Sequence, residues 1–254
     1  MRHEDSTIPA AVGLFLALSL ATGIEAETLL TVRQLQEMRS DGKPAEVEES
    51  SGFVWISNSS VRIDEHGMTF VMSEPGDVLF LVDHDRRTKE ILRLPASIES
   101  LLSEWEQSKL LASSLLSSET TLERIESREV WKGKTVTVYR AASRAFFLKS
   151  DAEIWVVESL DIHDLAYRRA LRGIFSIDLR RRWMIPVLDL EGFIVRMETR
   201  QVFAPNVVFT ETTEIVSVED VASAEGRYSP PMDYLEVPVD TSRWYMISRG
   251  KPLP

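Results

Sequence analysis

Cysteine is absent from this chain of 254 residues. Its absence excludes a disulfide framework, a thiolate metal site and a cysteine nucleophile, and leaves no cysteine to carry a lipid anchor after a leader. Secreted eukaryotic domains commonly carry disulfides, so the lack of them points to a bacterial envelope protein. Histidine is scarce, with four in all, so a Ser-His-Asp set or a histidine-rich metal site has few members to draw on. No G-x-S-x-G elbow, H-E-x-x-H pair or Walker loop occurs. The expectation is a protein that is not an enzyme and uses no cofactor or metal. Positive charge is also short: 29 Lys and Arg stand against 40 Asp and Glu, for a formal net charge of -11. Such a chain repels phosphate backbones, so nucleic acid is not an expected partner.

Long apolar runs are missing too, with one informative exception. Ala10 to Ala21 (AAVGLFLALSLA) is too short to span a bilayer and has the length of a signal-peptide core. Arg2 and His3 precede it, although Glu4 and Asp5 make that flank imperfect. Ile24-Glu25-Ala26 then offers a small residue for cleavage, so residues 1–26 read as a signal peptide cut after about Ala26. That segment carries Arg2 against Glu4, Asp5 and Glu25, which leaves -9 of the -11 on the mature chain. The expected location is the periplasm. The mature chain shows no repeat and no low-complexity linker, and reads as one domain over 27–240 with a tail over 241–254.

What is present is mostly strand signal. From Gly52 to Pro95 short β-forming runs (SVRID, MTFVMS, VLFLVD, TKEILRLP) alternate with turn clusters, the pattern of consecutive antiparallel hairpins. Val61 and Ile63 alternate with Arg62 and Asp64, whereas Val78 to Val82 is apolar throughout and reads as a central strand covered on both faces. Thr28 to Met38 is compatible with a strand or a short helix, and Arg39 to Ser51 reads as a loop. Ser97 to Ser118 reads as the main helix: Ile98, Leu101, Leu102 and Trp105 share one face, and Ser97 is an N-cap without a capping box. Further strands are expected over Thr121 to Trp131, Thr135 to Ala141 and Ala152 to Val157, then a second helix over Asp161 to Phe175 with Asp161 as N-cap. Met184 to Leu190, Phe193 to Phe203 and Val207 to Val218 read as a closing meander, followed by an extended segment marked by Pro230, Pro231 and Pro238.

Several local phrases, taken in order, resemble those of the bacterial LolA/LolB-like periplasmic lipoprotein carriers, and most closely a related outer-membrane lipoprotein-sorting-like family of unknown function. Ser60 to Asp64 (SVRID) resembles that family's "kmRid" strand, and Leu79 to Leu94 its "y.ld...k.y..l" hairpin. Gly133 to Tyr139 (GKTVTVY) resembles "Gkkc.kY", with Thr135 and Val136 where cysteine often stands. Ala152 to Leu160 resembles "e.Wv...l". Glu214 to Val237 resembles a last strand followed by "F..P.gy", with Asp233 in place of the glycine. The resemblance covers roughly Thr28 to Val237. It implies a mainly β (α+β) fold: a curved antiparallel sheet forming an incomplete barrel, closed by a long helix and a shorter helix over an apolar cavity.

On that reading the protein binds or carries an apolar ligand (an acyl chain, lipid or lipoprotein) between sheet and helices. Trp55, Phe70, Met72, Phe80, Leu101, Trp105, Trp155 and Phe193 are the candidate lining; the same residues would equally make an ordinary filled core. The alternative is a non-catalytic structural or interaction module of the cell envelope. Two clusters draw the eye. Asp83-His84-Asp85, with His66 nearby, has metal-ligand chemistry but falls where a hairpin must turn, and is read as the turn. Arg180-Arg181-Arg182-Trp183 is the one concentrated basic patch; it reads as a solvated turn, or as a contact to a membrane surface.

Overall fold

The computed structural model describes residues 26–240, except 41, 66, 75, 104–106, 108–118, 126–128, 146–147, 161, 163, 179 and 204–206. Thirteen strands follow the chain: β1 (Ala26–Ser40), β2 (Glu46–Ile56), β3 (Val61–Glu65), β4 (Met68–Met72), β5 (Val78–Asp83), β6 (Thr88–Arg93), β7 (Thr120–Ile125), β8 (Val130–Trp131), β9 (Lys134–Ala145), β10 (Leu148–Val157), β11 (Phe193–Phe203), β12 (Val207–Ala222) and β13 (Leu235–Val237). They form one open curved sheet in the order β13-β6-β5-β4-β3-β2-β1-β12-β11-β10-β9-β7, with β8 paired to β9 beside this path. Every pairing is antiparallel except β13 on β6. β1 therefore sits mid-sheet and joins two meanders, because it pairs with both β2 and the late strand β12.

The turns form where the backbone can take left-handed conformations. Lys132 and Gly133 sit at φ 46° and 79° between β8 and β9, two consecutive positive angles that match the twist of a two-residue hairpin. The Asp83-His84-Asp85 run supplies the β5–β6 turn, where the Asp83 carboxylate accepts from the Arg86 amide at 2.8 Å.

Register fixes two faces. Leu30, Val54, Ile63, Phe70 and Leu81 lie opposite one another across β1 to β5, and all are buried. Ile56, Val61, Met72, Leu79 and Leu92 form the neighbouring row. On this face lies α2 (Leu165–Ile177), which turns Ala166, Ala170, Ile174 and Ile177 into the same core. Gly173 permits the close approach: a Cβ there would lie 2.9 Å from Leu94 Cδ2 and 3.5 Å from Leu79 Cδ2. These two rows, with the α2 residues packed on them, bury much of the apolar surface that stabilises the fold, at roughly 25 cal/mol per Å².

The helical expectations need correcting. The helix expected over Ser97 to Ser118 is a single turn, α1 (Ile98–Leu101), ended by Leu102 in an extended conformation (φ -97°, ψ 149°). The Gln107 amide donates to the carbonyls of Glu99 at 2.7 Å and Leu102 at 2.9 Å, satisfying groups the helix end leaves open. Gln107 is itself helical; most of the remaining stretch lies outside the described residues. A capping box is present after all, because Ser100 fills the role usually given to Glu or Gln. α2 starts later than expected, at Leu165, and Asp161 lies outside the described residues. Met184 to Leu190 is not a strand: Arg182–Asp189 is a 3-10 helix, η1, which buries Trp183, Met184, Val187 and Leu188. Pro186 has no amide to give to a ladder, which disfavours a strand there. The loop read over Arg39 to Ser51 is shorter than expected, since β2 begins at Glu46. Among the described residues, no helix is long and apolar enough to cross a membrane.

Candidate functional site

α2 and η1 do not fill the space above the centre of the sheet. They leave a cavity of about 120 Å³, partly open to solvent. A single water needs roughly 10–15 Å³ by the same measure, so the space accepts several waters or a short stretch of apolar chain. Its floor is the sheet: Val32 on β1, Val54 on β2, Ile63 on β3, Phe193 and Val195 on β11, and Ile215 on β12. Its roof is Tyr167, Leu171 and Phe175 of α2 with Met184, Val187 and Leu188 of η1. The Tyr167 ring stacks on Phe193 (centroids 6.0 Å apart, planes at 18°) and joins roof to floor.

The wall changes character along the strands. On β1, Val32 gives way to Gln34; on β12, Ile215 gives way to Thr213 and Glu211. The same face continues beyond the cavity with Thr199 and Gln201 on β11 and Ser150 on β10, all buried. Each strand thus follows the same apolar-to-polar gradient, and registered pairing aligns these gradients into one.

Arg181 stands where the two halves meet. Its guanidinium donates to Glu211 at 2.8 Å and lies 3.9 Å from Glu65, two carboxylates on strands from opposite meanders. The Glu211 carboxylate, ahead of the opposing effect of burial, raises the Arg181 pKa above its already high ordinary value, so its charge is fixed. Burial first, and then the nearby Glu65 charge, push the Tyr167 hydroxyl up to about 12, so that group is a neutral phenol. The three arginines read from sequence as one exposed patch are separately engaged. Arg180 pairs with buried Asp178 at 3.4 Å, Arg181 with Glu211, and Arg182 with Glu99 of α1 at 2.5 Å. Trp183, grouped with them, is 4% exposed and belongs to the core. This corrects the solvated-patch expectation: the RRR run is bound to one acid two residues before it and to two acids brought from distant parts of the chain.

Arg168 holds the roof together. It pairs with Asp164 at 2.6 Å and donates to the main-chain oxygens of Leu188 at 2.7 Å and Leu190 at 2.8 Å, and also to that of Gly192. A single side chain ties α2 to the exit of η1.

Of the residues nominated from sequence as lining, Phe193 is at the cavity wall. Phe70 and Met72 are in the filled core on the same face of the sheet. Trp55 and Phe80 occupy the opposite face, in the row Trp55, Arg62, Val71, Phe80. There the Trp55 ring lies 5.6 Å from the Arg62 guanidinium and 5.9 Å from that of Arg227. Trp155 donates to Glu129 at 2.5 Å and is covered by Arg196 at 4.8 Å, away from the cavity. Leu101 packs at the edge of the core, and Trp105 lies outside the described residues. The Val78–Val82 run, read from sequence as a central apolar strand, does not border the cavity. Val32, Tyr167, Arg181, Val195 and Ile215 were not anticipated. The alternation of Leu30, Val32 and Gln34 along β1 was the available signal, obscured because that segment read equally as helix.

His84 makes defined contacts. Thr69 Oγ1 lies 2.5 Å from Asp64 Oδ1 and 2.8 Å from His84 Nε2, and the Tyr234 hydroxyl is 3.1 Å from His84 Nδ1. Thr69 has one proton; given to the carboxylate, it leaves the hydroxyl to accept from His84 Nε2–H and Nδ1 to accept from Tyr234. The chain of bonds fastens the C-terminal segment to the first meander. Among the described residues, no group of three or more His, Asp or Glu is placed to hold a metal ion.

No family model matches the sequence, and no curated protein matches it. Among solved structures, a LolA superfamily protein from Nitrosomonas europaea aligns over 82% of this chain and 91% of its own, with 7% identity and a TM-score of 0.27. The ywiB protein from Bacillus subtilis aligns over 76% and 96%, with 12% identity and a TM-score of 0.18. These are distant structural resemblances and assign no family.

Proposed function

We propose that the protein is an exported envelope protein that shelters an apolar ligand, such as an acyl chain, lipid or lipoprotein, in the cavity between the sheet and the α2–η1 roof, without chemistry on it. The observation that carries this reading is the unfilled, partly open space of about 120 Å³ walled by valine, isoleucine, leucine, methionine and phenylalanine side chains. Protein interiors ordinarily pack such residues to crystal density, so a space this size under a roof is a departure from the norm. Burial at about 25 cal/mol per Å² would drive binding: an acyl segment hiding roughly 200 Å² would gain about 5 kcal/mol before the cost of ordering it. Export to the periplasm is supported by the Ala10 to Ala21 apolar core and by the small residue Ala26 that follows it.

The test is extraction of protein purified from its native host with organic solvent, followed by mass spectrometry. A recurrent apolar compound in stoichiometric amount is expected. Ligand-free protein that also fails to take up a neutral apolar fluorophore would overturn the reading.

A further inference from the structure

We infer that the Tyr167 hydroxyl is the hydrogen-bond anchor of the cavity and donates to a carbonyl oxygen of the ligand, which makes the ligand an acyl ester or a related carbonyl-bearing chain rather than a bare hydrocarbon. The inference rests on the cavity reading above and specifies its ligand. Tyr167 lines the cavity from α2, and its ring is held by stacking on Phe193 of the floor, with planes at 18°. The ring fixes where the hydroxyl lies, yet among the described residues that hydroxyl makes no hydrogen bond. Burial is the larger cause of its raised pKa, ahead of the Glu65 charge, so the group is a neutral phenol that keeps its proton to donate. A donor screened from water and left without an acceptor is costly, and an acceptor on the ligand relieves that cost.

The charged side chains of the wall are already engaged. Asp164 pairs with Arg168 at 2.6 Å, Arg181 with Glu211 at 2.8 Å, and Asp64 with Arg62 at 3.0 Å. Arg196 is held by Glu198, and Glu65 and Gln34 have contacts of their own. A ligand group that displaced any of these would have to replace a bond the protein already makes. The phenol asks for no such exchange. An acyl ester meets both features of the site, with its carbonyl oxygen on Tyr167 and its chain along Val32, Val54 and Ile215. A hydrocarbon of the same length would fill the apolar part and leave the phenol unserved.

The experiment binds methyl decanoate, isotope-labelled at its carbonyl, to the full mature protein. Affinity is read by displacement of diphenylhexatriene, a hydrocarbon dye with no polar atom, and the hydrogen bond by the infrared band of the labelled carbonyl. Tyr167→Phe keeps the stacked ring and removes only the hydroxyl. It should raise the ester concentration needed for displacement about five- to tenfold, with affinity for the dye itself unchanged. In the wild-type protein the carbonyl band should lie below its position in dry hexane, and in Tyr167→Phe it should return toward that position. Thr213→Val removes the other hydroxyl of the wall and should weaken ester binding less than Tyr167→Phe does. Equal ester affinity in wild type and Tyr167→Phe overturns this inference and leaves the cavity reading standing. So does a wild-type band at the hexane position, a readout that needs no variant. An equal loss of dye and ester affinity in Tyr167→Phe, or a larger effect of Thr213→Val, also overturns it. Failure of the wild-type protein to bind either dye or ester overturns the cavity reading and this inference with it.

Discussion

The Arg168 guanidinium lies 2.7 Å from the main-chain oxygen of Leu188 and so connects the second turn of α2 to the last turn of η1. The same side chain serves the oxygens of Leu190 and Gly192, where the 3-10 helix gives way to β11. Arg168→Ala would leave several half-buried acceptors and Asp164 without their donor. We expect it to cost about 3 kcal/mol, read as a lowered midpoint in urea at unchanged slope. Arg168→Lys should recover only part of this, since an ammonium cannot present the planar fork that reaches three carbonyls.

Gly192 adds a second constraint at the same corner. Its φ is +95°, and a Cβ there would lie 2.3 Å from the oxygen of Val157. Gly192→Ala therefore combines a strained backbone with a collision against main chain that cannot swing aside, and should cost at least ~2 kcal/mol. Gly133 provides the comparison: its φ is +79°, but nothing lies within 4 Å of an added Cβ. Gly133→Ala should cost only the conformational part, ~1 kcal/mol. Equal losses for the two variants in chemical denaturation would refute the steric argument.

Glu99 gives the fold an acid-sensitive joint. Burial alone would raise its pKa, but hydrogen bonds from its own backbone amide and from Arg182 outweigh that, and the carboxyl sits below the usual glutamate range. A carboxylate with a depressed folded-state pKa adds stability above its unfolded pKa of about 4.3 and loses it as pH falls through the folded value. Wild-type protein should therefore melt higher than Glu99→Gln at pH 7, and the difference should close as pH drops below about 4. A constant gap between the two melting curves from pH 7 to pH 3 would show that the Arg182 contact is not electrostatic in origin.

The strands and most of α2 were legible, whereas η1 and the arginine run before it were not, and the reason is physical. Val61 to Asp64 alternates with period two, Gly67 takes the turn, and Met68 to Met72 is a run of β-forming residues, so local chemistry fixes β3, β4 and their turn. Arg180-Arg181-Arg182 has no such local logic: its partners Asp178, Glu211 and Glu99 include residues about 30 and 80 positions away, and only the closed fold brings them near. Met184 to Leu190 reads as a strand by composition, yet it lies against the core as a 3-10 helix because tertiary burial of Trp183, Met184, Val187 and Leu188 overrides propensity. Several of the nominated lining residues lie away from the cavity for a related reason. Aromatic size identifies a buried residue but not which face it serves: Trp55 and Phe80 sit one residue out of phase with Val54 and Leu81.

Filling the cavity is the sharpest test of what the space is for. Val32 faces it from the middle strand, so Val32→Phe should place the ring in existing void rather than in packed core. Overpacking of a filled core costs typically ~1–3 kcal/mol, whereas here the melting temperature should hold or rise. Uptake of a neutral apolar fluorophore should fall at least tenfold, about 1.4 kcal/mol of binding energy. Phe193→Ala makes the opposite change: it removes the ring stacked under Tyr167, should cost about 3–5 kcal/mol of stability, and should leave a larger site that still binds dye. Unaltered dye binding in Val32→Phe, with the fold intact, would place the apolar site elsewhere on the molecule.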